Sequence, residues 1–340
     1  MASGVRGRPR ARRRRRHGLD VDPDEVVITA GTSDALLLAA LALPPRVAGR
    51  PRRFGVENPG YPRVRTILAR VGVEAVPLPV RLESGLDLDA VERHDDLDAV
   101  IVTPHHHYPL GSRLDAAARA RLSAWARRTG TVVIEDDYDS EFPHGRAPLP
   151  PLRMVDPDGV VLIGSVSKIV SPALRCGWAV ASGAVLDRLR ETRLDLDLPV
   201  SLVEQRALAY FFADGSLARH TARRRRDYRH RRRLVLETLG SVDGVDLVAT
   251  NGGLHAVALL RGDVPLAELG PASTDVTEVE RSIVAAAAAR GVIVAGLAGY
   301  GLPGVPTGLP AGVVLGYAEP TTPDLVAALT VVAEELRARR

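Results

Sequence analysis

From Val26 onward, short apolar runs alternate with stretches of helical spacing. "VVITAG" (26–31) predicts a strand, and "TSDALLLAALAL" directly after it predicts a helix. "RFGVENPG" (53–60) predicts a strand and turn, followed by a helix over about 61–71 and a strand at "VEAVPL" (73–78). "DAVIVTP" (98–104), "TVVIEDD" (131–137), "GVVLIGSVS" (159–167) and "CGWAVAS" (176–182) continue the series. Between the first two of these lies the amphipathic "RLDAAARARLSAWARRTG", with a glycine where a helix would end. Strands that are apolar throughout, separated by helices, imply a mostly parallel sheet covered on both faces.

The pattern changes after about residue 200. A long arginine-rich helical region over 200–239 breaks near "ADGS" (213–216). Then come "DGVDLVATNGGLHAVALL" (243–260), a helix around "DVTEVERSIVAAAAARG" (275–291), a strand at "VIVAG" (292–296), a Gly/Pro-rich loop, "GVVLGYA" (312–318) and a final helix. The expected fold class is therefore α/β: a large doubly wound domain over 19–228, including the linker helix, and a small C-terminal α+β domain over 229–340. No internal repeat is visible.

Charge changes the picture at the N-terminus. Met1–His17 holds eight arginines and no acid, and taking these from the net +4 leaves −4 for the remainder. This arm, 1–18, has little to bury and is expected to be disordered. It could attach weakly to nucleic acid, since Arg-Gly-Arg-Pro resembles the core of a minor-groove hook, or it could reflect compositional bias. The arginines of "RHTARRRRDYRHRRR" are spaced around much of their helix, which suits a solvated linker better than a nucleic-acid face. No run is long and apolar enough to span a membrane, and the arm lacks the apolar core of a signal peptide. A single cysteine, Cys176, excludes an internal disulfide and fits a reducing cytoplasm.

Of 45 basic residues, only Lys168 is a lysine. Arginine carries charge but cannot act as a nucleophilic amine, so a lysine kept among arginines marks either amine chemistry or a chance survivor. Its neighbours favour chemistry, because reactive groups in open α/β sheets gather at the carboxyl ends of strands. "VVITAGTS" puts Gly31 and the amides of Thr32 and Ser33 at a helix N-terminus, where anions bind. "VVIEDDYDSEF" ends a strand with Glu135, Asp136, Asp137 and Tyr138, acids that could face a protonated ring nitrogen or a divalent metal. "LIGSVSK" supplies Ser165, Ser167 and Lys168, and Arg175 follows, suited to a phosphate dianion. A phosphate cradle, a ring-nitrogen partner and an amine are the three requirements of pyridoxal 5′-phosphate (PLP).

Residues 18–190 resemble the aminotransferase-like domain of MocR-type regulators of the GntR family, and more distantly the class I/II fold-type-I aminotransferases. "GLDVDPDEVVITAGTSDAL", "ENPGYP", "TPHHHYPLG", "IEDDYDSEF" and "SVSKIVSPALRCGW" occur in the family's order, with looser agreement at "GGLHAVALL", "GVIVAG" and "VVLGYA". The resemblance implies a fold-type-I, PLP-dependent homodimer that moves an amino group between an amino acid or amine and a 2-oxo acid. It implies that Lys168 is the Schiff-base lysine, Asp136 the partner of the pyridinium nitrogen and Tyr138 that of the ring 3′-oxygen. Tyr61 would stack on the ring, and Gly31, Thr32, Ser33, Ser165 and Arg175 would hold the phosphate. Tyr108 stands where ordinary aminotransferases carry the Asn of "NPTG". The matching family stretch binds no metal at "HHH" (His105–His107).

Three departures qualify the resemblance. The winged helix-turn-helix domain of the regulators is missing from the chain, so sequence-specific DNA binding is not expected, and a ligand sensor without turnover is the alternative to an enzyme. Asp34 places a negative charge near the phosphate end, where the family usually shows glutamine. Near the last strand, "AGVVLGYAEP" lacks the arginine that binds substrate carboxylate in many class I enzymes, which leaves Arg63, two residues after Tyr61, as the substitute.

Overall fold

The computed structural model describes residues 21–46, 48–144, 149–261 and 274–339, so the N-terminal arm lies outside the described residues. The first part runs β1 (Val26–Thr29), α1 (Thr32–Ala42), β2 (Arg53–Asn58), α2 (Pro62–Arg70), β3 (Glu74–Arg81), β4 (Gly85–Leu86), α3 (Leu88–Glu92), β5 (Ala99–Val102), α4 (Ala116–Thr129), β6 (Val132–Asp137), β7 (Val160–Ser165), β8 (Gly177–Val180) and α5 (Gly183–Asp195). These strands form one eight-stranded sheet in the order β1-β8-β7-β6-β5-β2-β3-β4. Strands β3, β2, β5, β6 and β7 are parallel, and β8 runs antiparallel between β7 and β1. β1 therefore points the same way as β7, and the carboxyl ends of β1, β2, β5, β6 and β7 lie along one edge.

Strand alternation explains why the central runs are apolar throughout. In β5, Val100 and Val102 face a cluster with Leu122 and Trp125 of α4, whereas Ala99 and Ile101 face Leu36, Leu38, Leu68 and Leu189 of α1, α2 and α5. α4 begins on the Asp115 side chain, which accepts from the Ala118 amide at 2.8 Å, and ends at Gly130 in the left-handed region (φ 71°). α5 was not anticipated. Only Leu186 and Leu189 of its "GAVLDRLRETRLD" are buried, too narrow a stripe to stand out among its charges.

The chain continues through α6 (Leu202–Ala213), α7 (Ser216–Leu239), β9 (Val245–Val248), β10 (His255–Leu260), α8 (Thr274–Ala289), β11 (Ala295–Gly296), β12 (Gly312–Gly316) and α9 (Thr322–Arg337). The four strands form an antiparallel sheet in the order β11-β12-β10-β9. Its core joins Tyr228, Val235 and Leu239 of α7 to Ala256 and Ala258 of β10, Val313 and Leu315 of β12, and Leu329 and Val332 of α9. α7 runs unbroken across 228/229, so one continuous helix carries the chain toward the second sheet. Several of its arginines are anchors rather than solvated charges. Arg225 bonds the Glu141 carbonyl at 2.6 Å, Arg231 the Ala318 carbonyl at 2.7 Å, and Arg232 the Thr250 carbonyl. The strand expected at "VIVAG" shrinks to Ala295–Gly296, and Ile293 is 94% exposed. Among the described residues, no helix is long and apolar enough to cross a membrane.

Candidate active site

The shared strand edge brings the expected residues together. β1 leads through Ala30 to Gly31, whose φ of 94° and ψ of −178° fall in a region that side-chain-bearing residues hardly enter. Arg175 Nη1, Ser165 Oγ and Ser167 Oγ all lie 3.8–3.9 Å from the point a Gly31 β-carbon would occupy. The amides of Thr32 and Ser33 open α1, where no intrahelical acceptor exists for them. Ser165 Oγ is tied to Ser167 Oγ at 2.9 Å and receives the Ser167 amide at 3.1 Å, so Ser167, noted in the sequence but given no role, belongs to the same cradle. Two hydroxyls, a guanidinium and a helix N-terminus around one small space suit a phosphate monoester.

Asp34 does not spoil this cradle. Its carboxylate turns back to accept from the Ala30 amide at 2.7 Å and pairs with Arg193 at 2.6 Å. The expected negative charge near the phosphate end is thus neutralised by an arginine of α5, a helix the sequence did not reveal.

At the end of β6, Asp136 is buried and its Oδ1 has no hydrogen-bond partner among the described residues. Burial, then the neighbouring acids Asp137, Asp139 and Glu57, push its carboxyl up to about 8, against the pull of Lys168. Such an acid calls for a cation, and a protonated pyridine nitrogen is the group PLP would present. Glu57, at the end of β2, is also buried. It accepts from the Thr103 amide at 3.1 Å and hydroxyl at 2.6 Å, and burial raises it to about 7. The cradle and the unpartnered acid together fit the cofactor.

Aromatic rings line the space between these ends. Tyr108 meets Tyr61 edge-on with centroids 6.0 Å apart, Tyr138 at 5.8 Å and Tyr300 at 5.4 Å. The Tyr108 and Tyr300 hydroxyls are 3.1 Å apart. Tyr300 comes from the Gly/Pro-rich loop after β11, and nothing in that loop marks it as a site residue. Tyr61 is 37% exposed and stands with Arg63, Thr66, Tyr108 and Tyr300 around an open cleft of about 370 Å³. Arg65, by contrast, is spent on the Gly299 and Gly301 carbonyls at 2.6 and 2.7 Å.

Lys168 follows β7 in a turn and is exposed, so burial does not desolvate its amine in this structure. Its charge is felt at Asp136 and at His255. The three adjacent histidines go to three destinations. His105 Nε2 lies 3.5 Å from Glu135, His106 Nδ1 lies 2.8 Å from Asp139, and His107 Nε2 lies 3.0 Å from the Pro59 carbonyl. His107 also accepts the Leu110 amide on Nδ1, and burial lowers it to about 3, so it is neutral. Just past β12, Tyr317 is buried with its hydroxyl on the Gly253 carbonyl at 2.9 Å, and neither it nor the strand offers a cation to a carboxylate.

The model of the aminotransferase class I and II family matches residues 10–304. Two similar relatives are transcription regulators. The HTH-type pyridoxine biosynthesis transcriptional regulator PdxR of Corynebacterium glutamicum is 42% identical over 246 residues, 72% of this chain and 52% of the regulator. The HTH-type transcriptional regulator TauR of Rhodobacter capsulatus is 32% identical over 238 residues, 70% of this chain and 48% of the regulator. The chain thus spans about half the length of the regulators it matches. Two enzymes share the fold. LysN, the α-aminoadipate aminotransferase of Thermus thermophilus, complexed with N-(5′-phosphopyridoxyl)-L-leucine, superposes with a TM-score of 0.79 at 24% identity, over 94% of this chain and 78% of its own. N-succinyldiaminopimelate aminotransferase of Mycobacterium tuberculosis gives 0.80 at 24% identity, over 96% and 82%.

Proposed function

Because the chain belongs to the aminotransferase class I and II family, we propose that it holds PLP at this strand edge and transfers an amino group between an amino acid or amine and a 2-oxo acid. The observation that carries this is the meeting of the Gly31–Ser165–Ser167–Arg175 cradle with a buried, unpartnered Asp136 in front of the chain's single lysine. When bound, PLP supplies an aldehyde that condenses with amines and a protonated ring that takes up the electron pair of a broken Cα–H bond.

The chain's own residues have separate tasks. Gly31, Thr32, Ser33, Ser165 and Arg175 fix the phosphate, with Ser167 holding the Ser165 hydroxyl. Asp136 would pass its proton to the ring nitrogen and face it as a carboxylate. Tyr138 donates its hydroxyl to the ring 3′-oxygen, Tyr61 covers one ring face, and Tyr108 borders the other side of the space. Lys168 Nζ would hold the cofactor through its aldehyde carbon and would carry the donor's Cα proton from the donor to the cofactor side. Arg63 in the open cleft receives the substrate carboxylate. The 19–228 part provides these groups, and the 229–340 part closes over them through Tyr300. A homodimer is supported by the exposed apolar side chains Leu194, Leu198, Leu202, Val203, Tyr210 and Phe212 on consecutive segments. The buried free thiol of Cys176 suits the cytoplasm.

A second reading, a PLP-bound sensor without turnover, is favoured by the regulators among the relatives and by the lack of a carboxylate-binding cation on β12. Absorption spectra of the protein with added PLP separate the two. A band that Lys168→Ala abolishes, that converts with an amino donor and returns with a 2-oxo acid, establishes transfer. A Lys168-dependent band that shifts with ligands but never converts establishes the sensor. No band refutes both.

A further inference from the structure

Beside Tyr138 lies a buried hydrogen-bonded pair to which the reading above gives no task. His106 Nδ1 is 2.8 Å from Asp139 Oδ2 and 3.0 Å from the Tyr138 hydroxyl. Both partners are buried, with side-chain exposures of 7% for His106 and 2% for Asp139. A carboxylate only accepts, so the hydrogen in the short contact belongs to Nδ1. Tyr138 Oη then accepts from the same N–H, and its own hydrogen is left for another acceptor. In the cofactor-free chain Asp139 is the neighbouring carboxylate that can take it. Burial, and then the charge and hydrogen bonding of Asp139, hold the Tyr138 hydroxyl well above the ordinary phenol range.

The pair is covered from the side of the second sheet. A β-carbon on Gly253, whose φ is +71°, would run into Asp139 Oδ2 and stand 2.7 Å from His106 Nδ1, and one on Gly252 would stand 3.1 Å from His106 Cδ2. The "NGG" loop before β10 therefore lies with bare backbone against the pair and keeps water from it.

We propose that Asp139 and His106 are positioning residues for Tyr138, deciding between them how far its hydroxyl turns to Asp139 and how far to the 3′-oxygen of bound PLP. This rests on the PLP-site reading above. Asp139 draws the hydroxyl away from the cofactor. His106 opposes this by donating to both oxygens, which occupies Asp139 and makes Tyr138 a better donor. The other ionisable groups nearby are Asp136 and Tyr108 against Tyr138, Tyr317 against Asp139, and His107, His144 and His255 around His106, with Lys168 facing Asp136 and His255. Burial keeps His107 and His255 at about 3, so neither titrates near neutrality.

The test is the pH midpoint of the bound cofactor's absorption. A hydrogen bond to the 3′-oxygen favours the deprotonated form and lowers the midpoint. Asp139→Asn should lower it by about one pH unit, the scale of one charge-assisted hydrogen bond. His106→Phe should raise it, and both shifts should shrink by at least half in a Tyr138→Phe background. A midpoint unmoved by both substitutions, shifts of the same sign, or full shifts without the Tyr138 hydroxyl would overturn the proposal. Independently of the cofactor, nitrogen NMR of the cofactor-free wild-type protein should find the His106 proton on Nδ1, and a ring protonated only on Nε2 also overturns it. If the wild-type protein forms no Lys168-dependent band, the PLP-site reading fails and the tuning role falls with it. A band with unmoved midpoints sinks the tuning role alone.

Discussion

Asp136→Asn should make the cofactor-free protein more stable, by an amount that grows with pH. An ordinary aspartate titrates at 3.8, whereas Asp136 is raised to about 8 in the folded chain by burial and by Asp137, Asp139 and Glu57. Between these values the folded state holds a proton that the unfolded state has lost, so folding takes up a proton and stability falls as pH rises. The slope is about 1.4 kcal/mol per pH unit, which gives about 1.6 kcal/mol at pH 5 and about 4 kcal/mol at pH 7. Asparagine resembles the protonated acid in shape and does not titrate, so the variant escapes this loss. An unmet hydrogen bond of the new amide shifts every pH alike, which makes the slope rather than the level diagnostic. Glu57 and Glu135, raised to about 7 and about 8, titrate in both proteins and largely cancel in the difference. The assay is guanidinium unfolding of both cofactor-free proteins at pH 5, 6 and 7. A stability gap that widens by more than about 2 kcal/mol from pH 5 to 7 supports the reasoning, and a flat or narrowing gap refutes it. The same variant should release PLP faster, since asparagine cannot become the anion that faces a pyridinium. Together the two results would show an acid held for function at the expense of stability.

Other outcomes follow from named contacts. Gly31→Ala forces a side chain into the glycine-only region and should cost about 1–3 kcal/mol in unfolding experiments, with a matching loss of stabilisation by inorganic phosphate. Arg193→Ala leaves the Asp34 charge beside the cradle and should weaken PLP binding, more so at low ionic strength. Adding Asp34→Asn should restore it, and failure of that rescue in an equilibrium titration removes Arg193 from the argument. Arg119→Ala strips the Leu114, Pro150 and Pro104 carbonyls of a buried donor and should destabilise the fold by about 3 kcal/mol or more, read from the guanidinium midpoint. A shift below about 1 kcal/mol would mean that water takes its place.

Whatever rests on short-range pattern could be read from the letters alone. Runs such as "AVIV" and "VVLI" are apolar at every position because both sheet faces are covered, and that alone marks them as central strands. Lys168, Asp136, Tyr138 and Ser165 could be singled out as candidates because chemistry-bearing types stand at or just past strand ends, Arg175 just before β8, and the topology brings these ends to one edge. What remained hidden depends on separations no local pattern encodes. Tyr300 reaches Tyr108 across 192 residues of chain, and Arg193 reaches Asp34 across 159. His106 and Asp139 each sit in a motif the sequence displays, yet their pairing depends on β5 lying next to β6 and on the "NGG" loop packing over both. The ionisation of Asp136 is of the same kind. A carboxylate's chemistry is written in its letter, but its proton is held by burial and by neighbouring acids that only the folded chain assembles.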